Sequence, residues 1–327
     1  MGRVGASLPE RVLAGDRAAM ARGISLVEDG GEGAEEFLRA IYHGTGRAYR
    51  VGITGPPGAG KSTLANRLAR YYREQGLSVG IIAVDPTSPF TGGALLGDRV
   101  RMADVELDDG VFIRSMASRG SLGGLSRKAE EAADVLDAAG RQLILFETVG
   151  VGQSELDIAG ASDTTVVVLV PESGDSIQAM KAGLMEIADV FVLNKADRAG
   201  ADQAVLSLKM ILHLRPPGEW EVDVVRAVAS EGIGTGEVAS VISRHRAHLA
   251  GGGRLDRRRR KRLAARVREL VEDRLRVHFW SDDRQSILEQ RISGVAALRG
   301  TPYDLAEDLI RDFREGTAHQ SRMPREA

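Results

Sequence analysis

The sequence predicts a doubly wound α/β domain with a mostly parallel sheet, extended by helices at both ends. From Tyr49 onward, short β-rich runs alternate with helix-like stretches, which is the order expected of a parallel sheet with helices on both faces. Two of these runs, residues 165–170 and 190–193, are continuously apolar. Strands covered on both sides have this composition, because neither face of the sheet meets water.

The predicted strands cover residues 50–54, 79–85, 111–116, 143–147, 165–170, 190–194 and 222–228. Helical periodicity is clearest at residues 62–74 and 127–139 within this region. Residues 9–40 are also helical in pattern, interrupted at Asp29-Gly30-Gly31, and the last helical segments are 255–279, 284–293 and 302–314. We therefore predict an N-terminal helical extension at 1–46, an α/β domain at 47–250 and a C-terminal helical arm at 251–327.

The composition excludes several classes of function. The 327 residues include no cysteine, so disulfides and zinc sites of the cysteine type are excluded. A net charge of −2 gives no overall attraction for nucleic acid or an anionic membrane. No segment approaches the roughly 20 apolar residues that span a bilayer, and the N-terminus lacks the apolar core of a signal peptide. We expect a cytoplasmic protein without a nucleic-acid or membrane partner.

A complete phosphate-binding loop (P-loop) follows the first predicted strand. The run from Gly55 to Ser62, GPPGAGKS, matches G-x-x-x-x-G-K-S between a strand and a helix. Its glycines let backbone N–H groups surround phosphate oxygens, Lys61 adds a positive charge, and the Ser62 hydroxyl can bind Mg²⁺. The alternative is a glycine-rich turn without a ligand. The predicted nucleotide contacts are Gly55, Gly58, Ala59, Gly60, Lys61, Ser62 and Thr63.

A guanine-recognition motif lies at the end of the predicted strand 190–194. Asn194-Lys195-Ala196-Asp197 matches N-K-x-D, and Asp197 can accept hydrogen bonds from guanine N1–H and its amino group. Adenine has no N1–H and would leave this carboxylate without its partner, which favours GTP over ATP. A tetrapeptide of this kind alone could also be a helix start. The small-residue loop Val228-Ala229-Ser230 is predicted to offer a backbone N–H to guanine O6.

Three acidic residues are candidate Mg²⁺ ligands. Glu147 and Gly150 in ETVG occupy the place of a D-x-x-G element, with the carboxylate facing the metal and the glycine N–H facing the γ-phosphate. Asp85 ends another strand, and Asp98 follows in the next loop. Each acid could instead cap a turn. The predicted catalytic residues are Lys61, Asp85 and Glu147, and Val151 stands where Ras-like proteins have a water-orienting glutamine.

Two further clusters are predicted to have no catalytic role. The basic run from Arg257 to Arg262 begins a helix pattern without interleaved aromatic residues, which indicates a solvated, ion-paired face. His245 and His248 lack the acids or cysteines of a metal site and are predicted to form a surface pair.

Three longer segments resemble the MeaB/ArgK family, the methylmalonyl-CoA mutase-associated GTPases. They are AVDPTSPFTGGALLGDRVRM, ETVGVGQSE and GDSIQAMKAGLMEIADVFVLNKAD, in the family's order. The resemblance runs from the N-terminal helices through most of the C-terminal ones. It implies a P-loop G-protein fold, GTP/GDP and Mg²⁺ as ligands, and a homodimer.

The resemblance also implies a partner. Members of the family bind an adenosylcobalamin-dependent acyl-CoA mutase, gate its cofactor loading and protect it from inactivation. Methylmalonyl-CoA mutase and isobutyryl-CoA mutase are the candidate partners here. By the same resemblance, residues 172–181 are an additional switch, and the terminal helices are partner and dimer arms. The alternatives are a P-loop kinase and the transport-associated ATPase of an older family label.

Overall fold

The computed structural model describes residues 6–86, 107–118, 124–148, 154–173, 182–214 and 218–320. The strands in these ranges are β1 (Tyr49–Thr54), β2 (Val79–Pro86), β3 (Val111–Ser118), β4 (Leu143–Thr148), β5 (Thr164–Leu169), β6 (Val190–Leu193) and β7 (Asp223–Arg226). The helices are α1 (Leu8–Leu13), α2 (Arg17–Asp29), α3 (Glu32–Ile41), α4 (Lys61–Glu74), α5 (Gly124–Ala138), α6 (Ser154–Ala161), α7 (Ala182–Ile187), α8 (Ala201–His213), α9 (Thr235–Ala250), α10 (Arg254–Phe279), α11 (Asp282–Ala296) and α12 (Pro302–Gln320).

The strands form one sheet in the order β3-β2-β4-β1-β5-β6-β7, and every pairing between neighbours is parallel. This confirms the predicted α/β class. The sheet was expected to be mostly parallel, and all of its described pairings are parallel. Parallel strands share one carboxyl edge, and ligands of such sheets bind beyond that edge. The candidate motifs after β1, β4 and β6 therefore converge on one side of the domain.

Helices cover both faces of the sheet. Every residue of β1, β4, β5 and β6 is buried, whereas the edge strand β7 is only partly buried. On one face, α4 and α9 pack against the sheet through Leu64, Leu68, Val241 and Ile242. On the other face, α2 and α5 contribute Met20, Ile24, Ala132 and Leu136. This two-sided burial explains the continuously apolar strand sequences.

The N-terminal extension has the break predicted at residues 29–31 and a second break, at residues 14–16, which the sequence pattern did not predict. Ser7 and Glu10 form a reciprocal capping box at the start of α1, and the Asp16 side chain accepts the Ala19 N–H at the start of α2. Gly30 and Gly31 separate α2 from α3, both with a positive φ, of 79° and 88°. The predicted break at these glycines is confirmed, because residues with a Cβ avoid this conformation.

Two strands are shorter than predicted. β6 ends at Leu193 rather than residue 194, and β7 ends at Arg226 rather than residue 228. The Ala227 N–H still donates to Leu193 O at 2.9 Å, but Val228 leaves the sheet to pair with Ile233 across a tight turn. The last residues of both predicted strands therefore belong to loops at the carboxyl edge.

The basic run at the start of α10 is less solvated than predicted. Arg258 pairs with Asp189 at 2.9 Å, and Arg259 pairs with the fully buried Asp163 at 2.8 Å. Arg259 also donates to Gly46 O and Ala48 O. The ion pairing was predicted correctly, but these two arginines bind the first turns of α10 to the amino-terminal edge of the sheet, where β5 and β6 begin.

The prediction of a histidine surface pair is wrong for His245. Its ring is only 1% exposed, its Nδ1 lies 2.8 Å from Thr164 Oγ1, and it packs against Trp220 with the ring centroids 4.8 Å apart. Thr164 Oγ1 is also 2.6 Å from the Tyr49 hydroxyl. Burial lowers the pKa of His245, an effect that the nearby Asp189 carboxylate opposes.

The chain divides into two compact units, Met1–Arg260 and Lys261–Ala327. In the second unit, Phe279 packs edge-on against Phe313 at 5.2 Å, and the Arg284 guanidinium lies 4.7 Å from the Phe313 ring centre. The predicted boundaries at 46/47 and 250/251 stay predictions. Among the described residues, no helix has the length and apolar character needed to cross a membrane.

Candidate nucleotide site

The P-loop connects β1 to α4 through glycines in the left-handed region. Gly60 has φ 89°, and a Cβ at this position would lie 2.3 Å from the Asn194 side chain. Gly55 has φ 137°, and its Cβ would lie 2.1 Å from the carbonyl oxygen of Val168. Gly58, with φ 73°, has open space around it. Gly55 and Gly60 therefore require glycine for both backbone geometry and close packing, and Gly58 for backbone geometry.

Helix α4 begins directly after this loop. The first intrahelical bond joins the Leu64 N–H to Gly60 O at 3.0 Å, so the preceding N–H groups, including those of Ser62 and Thr63, belong to the first turn. Such a terminus favours anions. The Lys61 ammonium donates to Gly55 O and Pro56 O, both at 2.9 Å, which places its charge over the loop.

Ser62 and Glu147 meet at the predicted metal position. The Ser62 hydroxyl donates to Glu147 Oε1, and the Glu147 side chain is only 2% exposed. A serine hydroxyl and a carboxylate are hard oxygen donors of the kind that Mg²⁺ takes in nucleotide sites. These two side chains therefore fit a magnesium ion.

The remaining predicted metal residues are only partly described. Asp85 lies in β2, two positions beyond Ala83, which pairs with Glu147 across β2 and β4. Its backbone is thus at the same carboxyl edge as Glu147, but its side chain lies outside the described part of the chain, as do Asp98 and Gly150. Within the described residues, no group of three or more histidine, aspartate or glutamate side chains forms a metal cluster.

Asn194 joins three loops. Its Nδ2 donates to Ala59 O of the P-loop at 2.7 Å, and its Oδ1 accepts the Ala229 N–H at 2.9 Å. Its own N–H donates to Leu169 O at the end of β5. The side chain is buried, so it holds the P-loop and the loop of Val228 together. The sequence predicted Asn194 as part of the guanine motif, and the structure identifies the two loops that its side chain joins.

The other residues of the guanine motif lie at the surface of this junction. Lys195 has a positive φ of 56°, which is uncommon for a residue with a side chain and marks a constrained turn. The Ala196 N–H donates to Ala227 O at 3.0 Å. Asp197 is exposed. Its carboxylate is therefore accessible to a base entering beside the loop.

The loop 228–230 is held on two sides. The Ala229 N–H donates to Asn194 Oδ1, so within this loop the predicted ligand contact passes to the next N–H, that of Ser230. On the other side, Arg67 of α4 donates to Ala229 O at 3.1 Å and to Ser230 O at 2.6 Å. Sequence reasoning missed Arg67, because it lies within a helix and belongs to no nucleotide motif.

A surface ion pair connects the guanine motif to the segment after β5. Glu172 lies in the short 3₁₀ turn Pro171–Ser173 and accepts a hydrogen bond from Arg198, which directly follows Asp197. That hydrogen bond lowers the pKa of the Glu172 carboxyl. Glu172 begins the predicted additional switch, of which residues 174–181 lie outside the described part of the chain.

Comparison with known proteins agrees with this geometry. The family model described as "Methylmalonyl Co-A mutase-associated GTPase MeaB" matches residues 20–284, which is most of the chain. The chain belongs to the MeaB family. As a MeaB-family member it is a GTPase, a class that its P-loop and N-K-x-D motif had predicted.

Relatives of this MeaB-family chain cover nearly its whole length. A Pyrococcus abyssi protein whose name describes it as a GTPase is 49% identical over 314 residues, or 94% of this chain and 97% of the relative. GTPase ArgK of Escherichia coli K12 is 36% identical over 84% of this chain and 85% of its own. The mouse protein named "Methylmalonic aciduria type A homolog, mitochondrial" is 31% identical over 93% and 78%.

One solved structure shares the fold along the chain. It is a crystal structure of a protein named "LAO/AO transport system kinase", which is 28% identical, with a TM-score of 0.73 over 94% of this chain and 96% of the other. Its similarity supports the P-loop GTPase-like architecture with helical extensions.

Proposed function

We propose that this chain is a Mg²⁺-dependent GTPase that serves as a G-protein chaperone, gating adenosylcobalamin loading and protecting a cobalamin-dependent acyl-CoA mutase. The observation that carries the proposal is membership of a family described as methylmalonyl-CoA mutase-associated. The name of the mouse relative, which refers to methylmalonic aciduria, points to the same metabolism. Methylmalonyl-CoA mutase and isobutyryl-CoA mutase are the candidate partners.

The proposed nucleotide site assigns a role to each part of the carboxyl edge. Lys61 and the first-turn N–H groups of α4 hold the phosphates, and Ser62, Glu147, Asp85 and Asp98 hold Mg²⁺, directly or through water. When bound, the ion neutralises charge on the phosphate oxygens. Gly150 donates its N–H to the γ-phosphate. Because Val151 follows Gly150 where a glutamine would orient water, we expect slow hydrolysis without a partner.

The proposed base site lies between two loops. Asp197 accepts hydrogen bonds from guanine N1–H and the 2-amino group, and the Ser230 N–H donates to O6. Asn194 supports this site through its contacts with Ala59 and Ala229. The switch proposed at residues 172–181 would report nucleotide state to the mutase, and the Glu172–Arg198 pair links its first residues to the guanine motif.

An exposed apolar stripe supports the proposed homodimer. Leu263, Val267, Val271 and Leu275 recur every four residues along α10 and are 42–58% exposed. This spacing places them along one side of the helix. A continuous stripe of this kind is characteristic of a helix that packs against a second one. A second copy of the chain is the proposed occupant.

The test measures GTP hydrolysis by the purified protein, alone and with each candidate mutase, with ATP as the control nucleotide. We expect slow GTP turnover that one mutase accelerates. The Lys61→Ala variant gives the background rate of hydrolysis. Loss of one charged phosphate contact should lower turnover by about 100-fold or more. If neither mutase changes the rate or co-purifies with the protein, the chaperone role is refuted while the GTPase assignment stands.

The same assay separates the alternative function as a kinase or transport-associated ATPase. The name of the relative with the solved structure refers to a transport system kinase. A kinase would transfer the phosphoryl group to a small acceptor, such as a basic amino acid, and turnover would rise with that acceptor. Acceleration by a mutase and indifference to the acceptor would favour the chaperone.

A further inference from the structure

Arg67, which lies on α4, binds the loop 228–230. Its Nε donates to Ala229 O at 3.1 Å and its Nη2 to Ser230 O at 2.6 Å, so one guanidinium holds two successive carbonyls. The side chain is half-buried. A planar guanidinium presents its N–H groups in a fixed fork, which constrains both the position and the orientation of what it binds.

Two donors hold the Ala229 carbonyl and so the direction of the Ser230 N–H: Arg67, and the Gly232 N–H at 3.3 Å. In a trans peptide, the carbonyl oxygen and the N–H of the same unit point to opposite sides. Because Arg67 holds Ala229 O on the side of α4, the Ser230 N–H faces away from α4. Asn194 holds the preceding N–H, and the Val228 N–H donates to Ile233 O at 3.0 Å. With its neighbours held in this way, Ser230 has little freedom to reorient.

The position of Arg67 also ties the loop to the phosphate site. Arg67 lies six residues after Lys61 and five after Ser62 on the same helix. At the α-helical rise, six residues span about 9 Å of rigid structure. Helix α4 therefore sets the distance between Lys61, which is proposed to hold the phosphates, and the loop 228–230, which is proposed to contact the base.

We infer that Arg67 is a positioning residue for guanine recognition, which acts by orienting the Ser230 N–H toward guanine O6 without touching the nucleotide. The inference rests on the proposed assignment of residues 228–230 to the base site. It predicts a defect specific to the O6 contact, because the N1–H and 2-amino contacts belong to Asp197 on a different loop.

The test compares three nucleotides on the full-length protein by displacement of a fluorescent GDP analogue. GDP is the reference, 6-thio-GDP weakens the acceptor at position 6, and IDP lacks the 2-amino group. The variants are Arg67→Met, which removes the donors, and Arg67→Lys, which keeps a charge but not the fork. Arg70→Met is the matched control, one turn further along α4 and exposed, with Glu74 as its partner.

In the wild type, we expect GDP to bind more tightly than either analogue. Arg67→Met should weaken GDP binding by about tenfold, as expected for the loss of hydrogen bonds from a charged donor. The preference for GDP over 6-thio-GDP should shrink, while the preference over IDP is retained. Arg67→Lys should recover part of the loss, and Arg70→Met should match the wild type.

Each contrary outcome is distinct. If Arg67→Met weakens all three nucleotides equally, or weakens none, the positioning role is overturned. A wild type that does not distinguish GDP from 6-thio-GDP overturns it as well. A wild type that does not distinguish GDP from IDP refutes the guanine assignment of Asp197, which belongs to the proposed function. If Arg67→Met does not fold, the affinities of Arg67→Gln and Arg67→Lys for the three nucleotides are compared with those of the wild type in the same way.

Discussion

Asn194 shows how much a single side chain organises at the nucleotide site. Its amide donates to Ala59 O and accepts from the Ala229 N–H, which joins the P-loop to the loop of Ser230. Both bonds are buried, and an amide group left without partners there would cost about 1–3 kcal/mol for each bond. Asp197, three residues later, is exposed and available to a ligand. One motif thus supplies a structural residue and a recognition residue.

Asp197→Asn should shift base preference from guanine toward xanthine. An asparagine amide can donate to the C2 carbonyl of xanthine but cannot accept both guanine hydrogens as the carboxylate does. We expect GDP affinity to fall and XDP affinity to rise, each by about tenfold or more. Competition binding with GDP and XDP measures both, with the exposed Asp283→Asn as the control. Unchanged selectivity would refute the assignment of Asp197.

His245 should make the stability of the protein depend on pH. Burial lowers its pKa below the ordinary value of 6.5 in the folded state, despite the neighbouring Asp189. Arg258, His248 and Asp163 also act on the ring. Above pH 6.5 the ring is neutral in both states. As the pH falls below 6.5, the unfolded chain takes up a proton that the folded one resists, so the free energy of unfolding should decrease.

Urea denaturation between pH 5 and pH 8 tests this expectation, with the pH range set by the ordinary histidine pKa of about 6.5. His245→Gln should flatten the dependence below pH 6.5, whereas His213→Gln, at an exposed site, should leave it as in the wild type. An equally steep dependence in His245→Gln would show that other groups cause it.

At the scale of elements, the start of α10 is attached to the amino-terminal edge of the sheet. Arg259 reaches Asp163 before β5 and also the carbonyls of Gly46 and Ala48 before β1. Asp163 also accepts the backbone N–H of Arg50. This small region therefore joins the segment that leads into β1, the segment that leads into β5 and the first turn of α10.

Arg259→Met should destabilise the protein by roughly 3 kcal/mol, because it removes the guanidinium that donates to the fully buried Asp163. Arg260→Met is the matched control, since Arg260 is exposed one position further along the same helix. Chemical denaturation of both variants gives the comparison. Equal stability of the two would mean that the Arg259–Asp163 pair contributes nothing to the fold.

At the scale of the whole molecule, the apolar stripe on α10 is the surface through which two copies of the chain are proposed to associate. Leu263, Val267, Val271 and Leu275 are exposed within the chain, although α12 in the same unit buries Leu305 and Leu309. Helix–helix packing is the usual way to cover such a stripe. The proposed homodimer would use this surface of the second unit, while the nucleotide site belongs to the first.

Val271→Glu should convert the proposed dimer to a monomer, because it places a carboxylate in the middle of the stripe. Ala265→Glu is the control, since position 265 is exposed and lies two residues, or about 200° of helical rotation, beyond Leu263. Sedimentation or light scattering reports the mass of each. A dimeric Val271→Glu protein would exclude this stripe as the interface.

The sequence by itself determined the α/β class, the positions of most strands along the chain, the P-loop and the family. These features are carried by contiguous runs, such as Gly55 to Ser62, whose local geometry follows from residue type. Only the tertiary structure decided that Arg67 holds Ala229 and that Arg259 reaches Asp163. These partners are 162 and 96 residues apart along the chain, and no local pattern marks them. The burial of His245 was missed for the same reason, since Thr164 and Trp220 surround it only once the sheet has formed.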